Sequence, residues 1–198
     1  TNNVEFKDRT IEAWTGGRDG KGVIHATRTG YYIYKFIDPN LDLLQNRTSV
    51  HHWVIMRYAE ILLSYAEAMN EAYGPTGNVG YRLNAVRALN QVRNRVGVEM
   101  PAVPTAISKE ELREKIRNER RVELAFEDHR FWDVRRWMIA PETLGAPLRG
   151  VEITKISDEE FEYKPIEVEK RTFEPKMYLY PIPQADLNTT GWVQNPLW

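Results

Sequence analysis

Apolar residues recur at helical spacing in three stretches of the chain, and each stretch is bounded by a recognisable start or stop. In "HWVIMRYAEILLSYAEAMNEAY" (52–73), Met56, Ala59, Leu63 and Ala66 share one face. Val54, Tyr58, Ile61, Leu62, Tyr65 and Met69 cover much of the remainder. A helix apolar nearly all round is a buried one, and Gly74-Pro75 ends it. A second helix is predicted over 80–96, with Ala85, Val86, Leu89, Val92 and Val96 in phase and Gly97 as its stop. The short connection makes the two an antiparallel hairpin. Ser108 with Glu111 three residues on forms a capping box, so a third helix begins there. It is expected to run to about 128, with a break before Phe131–Met138.

The flanks lack this period. Residues 1–50 read as loops, with "WTGGRDGKG" (14–22) a mobile glycine-rich turn and "GYYIYKFIDPN" (30–40) a short strand or extended piece. "EFEYKPIEVEKRTFEP" (160–175) alternates well enough to predict a small β-hairpin. "YLYPIP" is held extended by its prolines, and the aromatic end "GWVQNPLW" is expected to dock on the body. The fold class is therefore mainly α: an antiparallel helix hairpin, a third long helix, long irregular loops and a small β-hairpin. Residues 1–50 form a loop-rich lead-in with a candidate ligand loop; residues 51–198 form one compact helical domain.

One helical segment breaks the simple pattern. "NERRVELAFEDHRFWDVRRW" (118–137) is dominated by Asp, Glu and Arg, yet its periodicity is helical. At about 100° per residue, Leu112, Ile116 and Phe126 point within about 40° of one direction. Glu119, Glu123 and Arg130 fall inside the same stripe, with Glu127 at its edge. Glu60 and Glu67 likewise share the apolar face of the first helix, and Arg57 lies one residue from it. Carboxylates facing a core need cationic partners. Arg57, Arg93, Arg95, Arg120, Arg130, Arg135 and Arg136 can supply them, because guanidinium satisfies a carboxylate bidentately. The reading is an interior ion network between helices, comprising Glu60, Glu67, Arg57, Glu119, Glu123, Glu127 and Arg130.

Catalytic readings of the same stretch fare worse. A di-iron bundle needs Glu-x-x-His on two helices, but Arg130 stands three residues after Glu127. His25, His51 and His52 lie in loops or at a helix start. A glycosidase acid requires a raised pKa, and arginines around Glu119, Glu123 and Glu127 would lower it. GxSxG, phosphate-loop and HExxH motifs are absent from the sequence. No catalytic residue, metal or cofactor is predicted.

Composition narrows the partners. In 198 residues, 27 basic side chains face 28 acidic ones, for a net charge of −1. That balance gives no argument for nucleic acid or an anionic membrane. Six Trp, ten Tyr and six Phe supply either core or recognition surface for flat ligands. Cysteine is absent, so disulfides, Cys-zinc sites and a Cys nucleophile are excluded. No apolar run reaches the roughly 18 residues of a membrane span. "TNNVEFKDRT" has no charged-then-apolar leader.

"TGYYIYKF", "RYAEILLSYAEAMNEA", "LNQVRNRVG", "SKEELREKIRNERRVELAFEDHRFWDVRRW", "YLYPIP" and "WVQNPLW", in this order, resemble the C-terminal region of the SusD/RagB family from about residue 29 onward. The resemblance implies an outward-facing outer-membrane lipoprotein of Bacteroidetes that binds glycans or other nutrients without catalysis. It implies TPR-like helix hairpins and a SusC-like, TonB-dependent transporter as partner. Family members are longer and carry a signal peptide, a lipid-bearing Cys and further helical repeats. The chain is therefore expected to be a C-terminal piece, reaching the membrane only through an anchor outside it.

The resemblance fixes no ligand residue, so chemistry must nominate them. A sugar ring packs its C–H face on an aromatic ring while its hydroxyls need polar partners. Trp14, beside Arg18 and Asp19 in the glycine-rich loop, is the best candidate, although a tryptophan there serves equally to anchor the loop. Tyr31, Tyr32, Trp53, Trp132, Trp137, Trp192 and Trp198 read as packing. The expected function is oligosaccharide or nutrient binding for uptake. The alternatives are a helical-hairpin module that grips a protein partner and no sugar, and a hydrolase, for which no acid stands in a plausible setting.

Overall fold

A computed structural model describes residues 2–6, 9–42, 45–50 and 52–198; His51, one of the histidines weighed above, lies outside them. Contacts group the chain into two units, Thr1–His51 with Val134–Trp198, and His52–Asp133. The sequence reading set a single boundary at 50/51, whereas here residues 134–198 cluster with the lead-in.

In the His52–Asp133 unit, α1 (Tyr58–Tyr73) starts at Tyr58 rather than at 52. Trp53, Ile55 and Met56 are exposed at 70%, 84% and 67%, so no burial holds them helical, and Arg57 is extended. Helix α2 is shorter than expected, Ala85–Arg93, because the Asn84 side chain accepts from Arg87 N at 2.9 Å and caps it. Val96 lies beyond its end and is 95% exposed. Helix α3 (Lys109–Glu123) begins at the predicted Ser108–Glu111 capping box. It stops at Leu124 rather than near 128, because Phe126 and Asp128 adopt φ of 63° and 62°, conformations no helix continues through. Helix α4 (His129–Arg136) follows.

The TPR-like pair α1–α2 and helix α3 enclose one core, with Leu63, Ala66, Leu89, Val92, Leu112, Ile116 and Leu124 all buried. The linker before α3 is clipped down by Asn90, whose amide donates to Val103 O at 2.9 Å and accepts from Val103 N at 2.8 Å. Two buried main-chain groups are thereby satisfied.

Carboxylates meet guanidinium across this unit. Arg57 donates to Glu123 Oε1 (2.6 Å), to both oxygens of Glu127 (2.7 and 3.0 Å) and to Glu123 O (2.6 Å). Arg95 reaches Glu123 Oε2 at 2.9 Å, and Arg93 pairs with Glu119. Burial alone would raise the Glu123 carboxyl, but hydrogen bonds from Arg57 and Arg95 outweigh it and hold it below the ordinary range. The same balance raises Arg57, where burial is outweighed by Glu127 and Glu123.

Three placements differ from expectation. The most buried pair is Arg120–Asp133, 2.8 and 3.1 Å, with the Arg120 side chain also donating to Ser64 Oγ at 3.0 Å; Asp133 had gone unnoticed. Glu60 meets His129 at 3.6 Å. Arg130, expected in the network, has no hydrogen bond or ion pair among the described residues. Its half-burial and the nearby Arg121 charge lower its pKa against the pull of Asp133.

In the other unit, β1 (Glu5–Phe6) and β2 (Arg9–Thr10) form a short antiparallel pair, and α5 (Ala140–Thr143) precedes β3 (Leu148–Lys155), which pairs antiparallel with β4 (Phe161–Glu169). The hairpin thus joins 148–155 to 161–169, whereas the sequence reading folded 160–175 on itself. Its turn is closed by Ile156 N to Glu160 O (2.9 Å) and by Glu160 N to Ser157 Oγ (3.2 Å). Pro165 sits opposite Val151, and Val151 N donates away from β4, to Thr29 O at 2.8 Å. At such a position the strand loses nothing to a residue without an N–H. Residues 30–40 form no strand; their lead-in, at Thr29, lies along the free edge of β3. A tight turn over Pro175–Tyr178, helix α6 (Gln184–Thr190) and the tail follow. The tail docks through Trp198 Nε1, which donates to Lys176 O and Leu179 O, both at 3.0 Å.

Glu123→Ala removes the carboxylate that Arg57 and Arg95 share, leaving Arg57 its bonds to Glu127, and should lower unfolding stability by about 2 kcal/mol. Arg130→Ala breaks no pair and should change it by less than about 0.5 kcal/mol. Urea unfolding of both variants checks the contrast; equal losses would contradict the partner assignment.

Candidate functional site

The lead-in unit carries a concave surface. Strands β1 (Glu5–Phe6) and β2 (Arg9–Thr10) pair in register Glu5 with Thr10 and Phe6 with Arg9. Bonds from Asn3 N to Ile11 O and from Ile11 N to Val4 O extend the ladder. The chain then enters the glycine-rich turn, which is closed by several local bonds rather than loosely looped. Gly17 N donates to Trp14 O (2.9 Å), Gly20 N to Gly17 O (3.1 Å) and Asp19 N to Glu12 O (3.0 Å). A Cβ at Gly20 would lie 1.8 Å from Trp14 O, so only glycine fits this crossing.

Each of the three loop residues nominated from sequence has a definite place. Trp14 is half-buried with its ring 5.4 Å from that of Phe161, tilted by 37°. Lys155 Nζ stands 5.0 Å from the Trp14 ring centre, within cation–π range. Thr15 N donates to Ile153 O at 2.8 Å, so the loop is tied to the β3–β4 ribbon at this point. Arg18 pairs with Glu12, Nε to Oε2 3.2 Å, with its side chain 63% exposed. Asp19 is gripped by Arg9 at 2.7 and 2.8 Å and accepts from Glu12 N at 3.0 Å. The Arg9 hydrogen bonds hold its carboxyl at about 2, against a smaller opposing push from burial.

Asp19 also borders a groove. Tyr32 donates its hydroxyl to Asp19 O at 2.7 Å, which fixes that ring beside the Arg9–Asp19 pair. Phe6 and Tyr34 meet edge to face, centroids 6.1 Å apart at 88°. With Val4, Ile11 and Ile33 they wall a hollow of about 520 Å³, with Arg9 and Asp19 at its polar side. Trp14 and Arg18 do not line it. Sequence reasoning does not single out Phe6, Arg9 and Tyr34, because nothing local marks them; the alternation of "GYYIYKF" is the available signal, and it reads as a short strand or extended piece.

Comparison with known proteins then decides the family. Residues 5–198 match the SusD family. The chain belongs to the SusD family. It is 34% identical over 120 residues to SusD-like protein P2 of Formosa agariphila, covering 58% of this chain and 22% of that protein. A SusD-like protein of Bacteroides fragilis superposes with a TM-score of 0.75 at 35% identity, over 96% of this chain and 34% of the other. A SusD homolog from Bacteroides thetaiotaomicron gives 0.50 at 26%, over 79% and 31%. This SusD-family chain thus spans about a fifth of the curated relative and a third of the solved ones. No group of three or more His, Asp or Glu that could hold a metal occurs among the described residues, and no helix among them is long and apolar enough to cross a membrane.

Because the Asp19 pKa is depressed on folding, the Arg9–Asp19 pair stabilises the loop fully above the ordinary carboxylate pKa of about 3.9. The contribution fades as pH falls from there toward 2. A carbon-detected NMR titration should place the Asp19 midpoint near 2, and Arg9→Gln should move it up toward the ordinary value. An ordinary midpoint in the unaltered protein would contradict the pairing.

Proposed function

We propose that the protein is the glycan- or nutrient-binding component of an outer-membrane uptake system, delivering oligosaccharide to a SusC-like, TonB-dependent transporter without catalysis. What supports this reading most is SusD-family membership over residues 5–198, joined to a groove in which aromatic rings stand beside a fixed ion pair. Rings accept the C–H face of a sugar, and oriented polar groups meet its hydroxyls. Asp19 and Arg9 supply those groups at the groove. Arg18 keeps an exposed guanidinium for a ligand that reaches past the loop, and Trp14 holds the loop in place. The protein faces outward, anchored by lipid.

A hydrolase is disfavoured on chemical grounds. A general acid works with a raised carboxyl pKa, whereas hydrogen bonds from Arg9 hold the Asp19 carboxyl at the groove well below the ordinary range.

Glycan-array screening followed by calorimetry on the intact protein should find an oligosaccharide ligand. Tyr34→Ala should weaken it at least about tenfold, or ~1.4 kcal/mol, with no product formed on prolonged incubation. Binding that Tyr34→Ala leaves unchanged would remove the groove from the site; turnover would revive the hydrolase.

A further inference from the structure

A second hollow, apart from the groove in its lining residues, occupies the place where the lead-in meets β3. Its volume is about 330 Å³, near the lower end for small-molecule pockets. The floor is bare for a geometric reason. Val151 N donates to Thr29 O at 2.8 Å, and that bond brings two backbones into contact. A Cβ at Gly30, whose φ is +76°, would lie 2.3 Å from Val151 O; one at Gly150 would lie 2.6 Å from Thr29 O. No side chain can stand over the crossing, so the hollow stays open there.

The walls are of one chemical kind. Tyr31 and Tyr163 line the hollow and are 60% and 55% exposed, so part of each ring is open to a ligand. Pro165 adds an apolar ring and no donor. None of the lining residues is charged. Asn2 is pinned by Ala13 N, which donates to its Oδ1 at 3.1 Å. Its Nδ2 donates to the Tyr163 hydroxyl at 3.3 Å. That hydroxyl accepts this bond and gives none among the described residues, so its proton is directed elsewhere, as is the second amide proton of Asn2. Two neutral donors therefore stand beside two exposed rings over an uncharged floor.

Resting on the glycan-binding reading, we infer that this hollow is a second subsite that takes one uncharged sugar ring of the bound glycan. The ring's C–H face lies on Tyr31 and Tyr163, and its hydroxyl oxygens accept from the Tyr163 hydroxyl and Asn2. A uronic acid or phosphorylated sugar is disfavoured, because nothing in the lining neutralises its charge.

Calorimetry with gluco-, galacto- and manno-oligosaccharides and one uronic-acid oligosaccharide tests this. A neutral series should bind, Tyr31→Ala with Tyr163→Ala should weaken it about tenfold, and Tyr163→Phe should give a smaller loss. Hydrogen exchange on the unaltered protein keeps the test independent of variant folding: the neutral oligosaccharide should slow exchange at residues 29–31 and 150–151. Neutral glycan bound with those amides and the double variant's affinity unchanged overturns the subsite and leaves the glycan reading standing. A preference for the uronic-acid probe also overturns it. No binding of any glycan defeats the broader reading and the subsite together.

Discussion

Arg57 carries the constraint on which the helical unit depends. Its guanidinium satisfies Glu123 and Glu127 and also the main-chain carbonyl at the end of α3. Two carboxylates that would each be expensive away from water are bridged by one planar fork, and Arg95 adds the second positive charge at Glu123. The same contacts account for two local features. Residue 57 is extended instead of helical, because its side chain reaches over to α3. The turn after Glu123 can close with Phe126 and Asp128 at positive φ because its two acids are held from outside. Arg93 and Arg95, from the end of α2, complete the arrangement, so all three core helices are registered by charge as well as by packing.

Much of this was legible in the sequence. The Ser108–Glu111 box and the apolar positions of α1, α2 and α3 follow from local rules, and carboxylates on a core face required arginines. Which arginine meets which acid did not follow. The wheel assumed one continuous helix through residue 130, but the positive-φ turn breaks it and rotates everything beyond. That rotation brings Asp133 to Arg120 and leaves Arg130 with no hydrogen bond or ion pair among the described residues. Helix lengths were overestimated at 52–57 and 80–84 for a different reason: periodicity records what could be buried, whereas Trp53 and Ile55 are exposed here. The β-hairpin was misregistered because β4 alternates clearly while β3, with Gly150 at its crossing, does not.

The lead-in was the least legible region, and it contributes to both hollows described above. Its order comes from non-local bonds: Thr29 with Val151, Thr15 with Ile153, Tyr32 with Asp19. Sequence chemistry did pick out Asp19, which the fold sets at the groove beside Arg9. It also picked out Trp14, whose ring packs on Phe161 beneath Lys155. The division of labour is physical. In the helical unit the paired charges are spent on one another, whereas the lead-in sets exposed rings and partly used polar groups at its hollows.

The proposition that most needs confronting is that Glu and Arg of neighbouring helices act as mutually neutralising architecture. A double-mutant cycle on Arg57→Met and Glu127→Gln, read by chemical unfolding, isolates their interaction from the other contacts each makes. Coupling of about 1.5 kcal/mol or more is predicted for a pair this close and this little exposed. Coupling below about 0.5 kcal/mol, the scatter expected of independent sites, would contradict it.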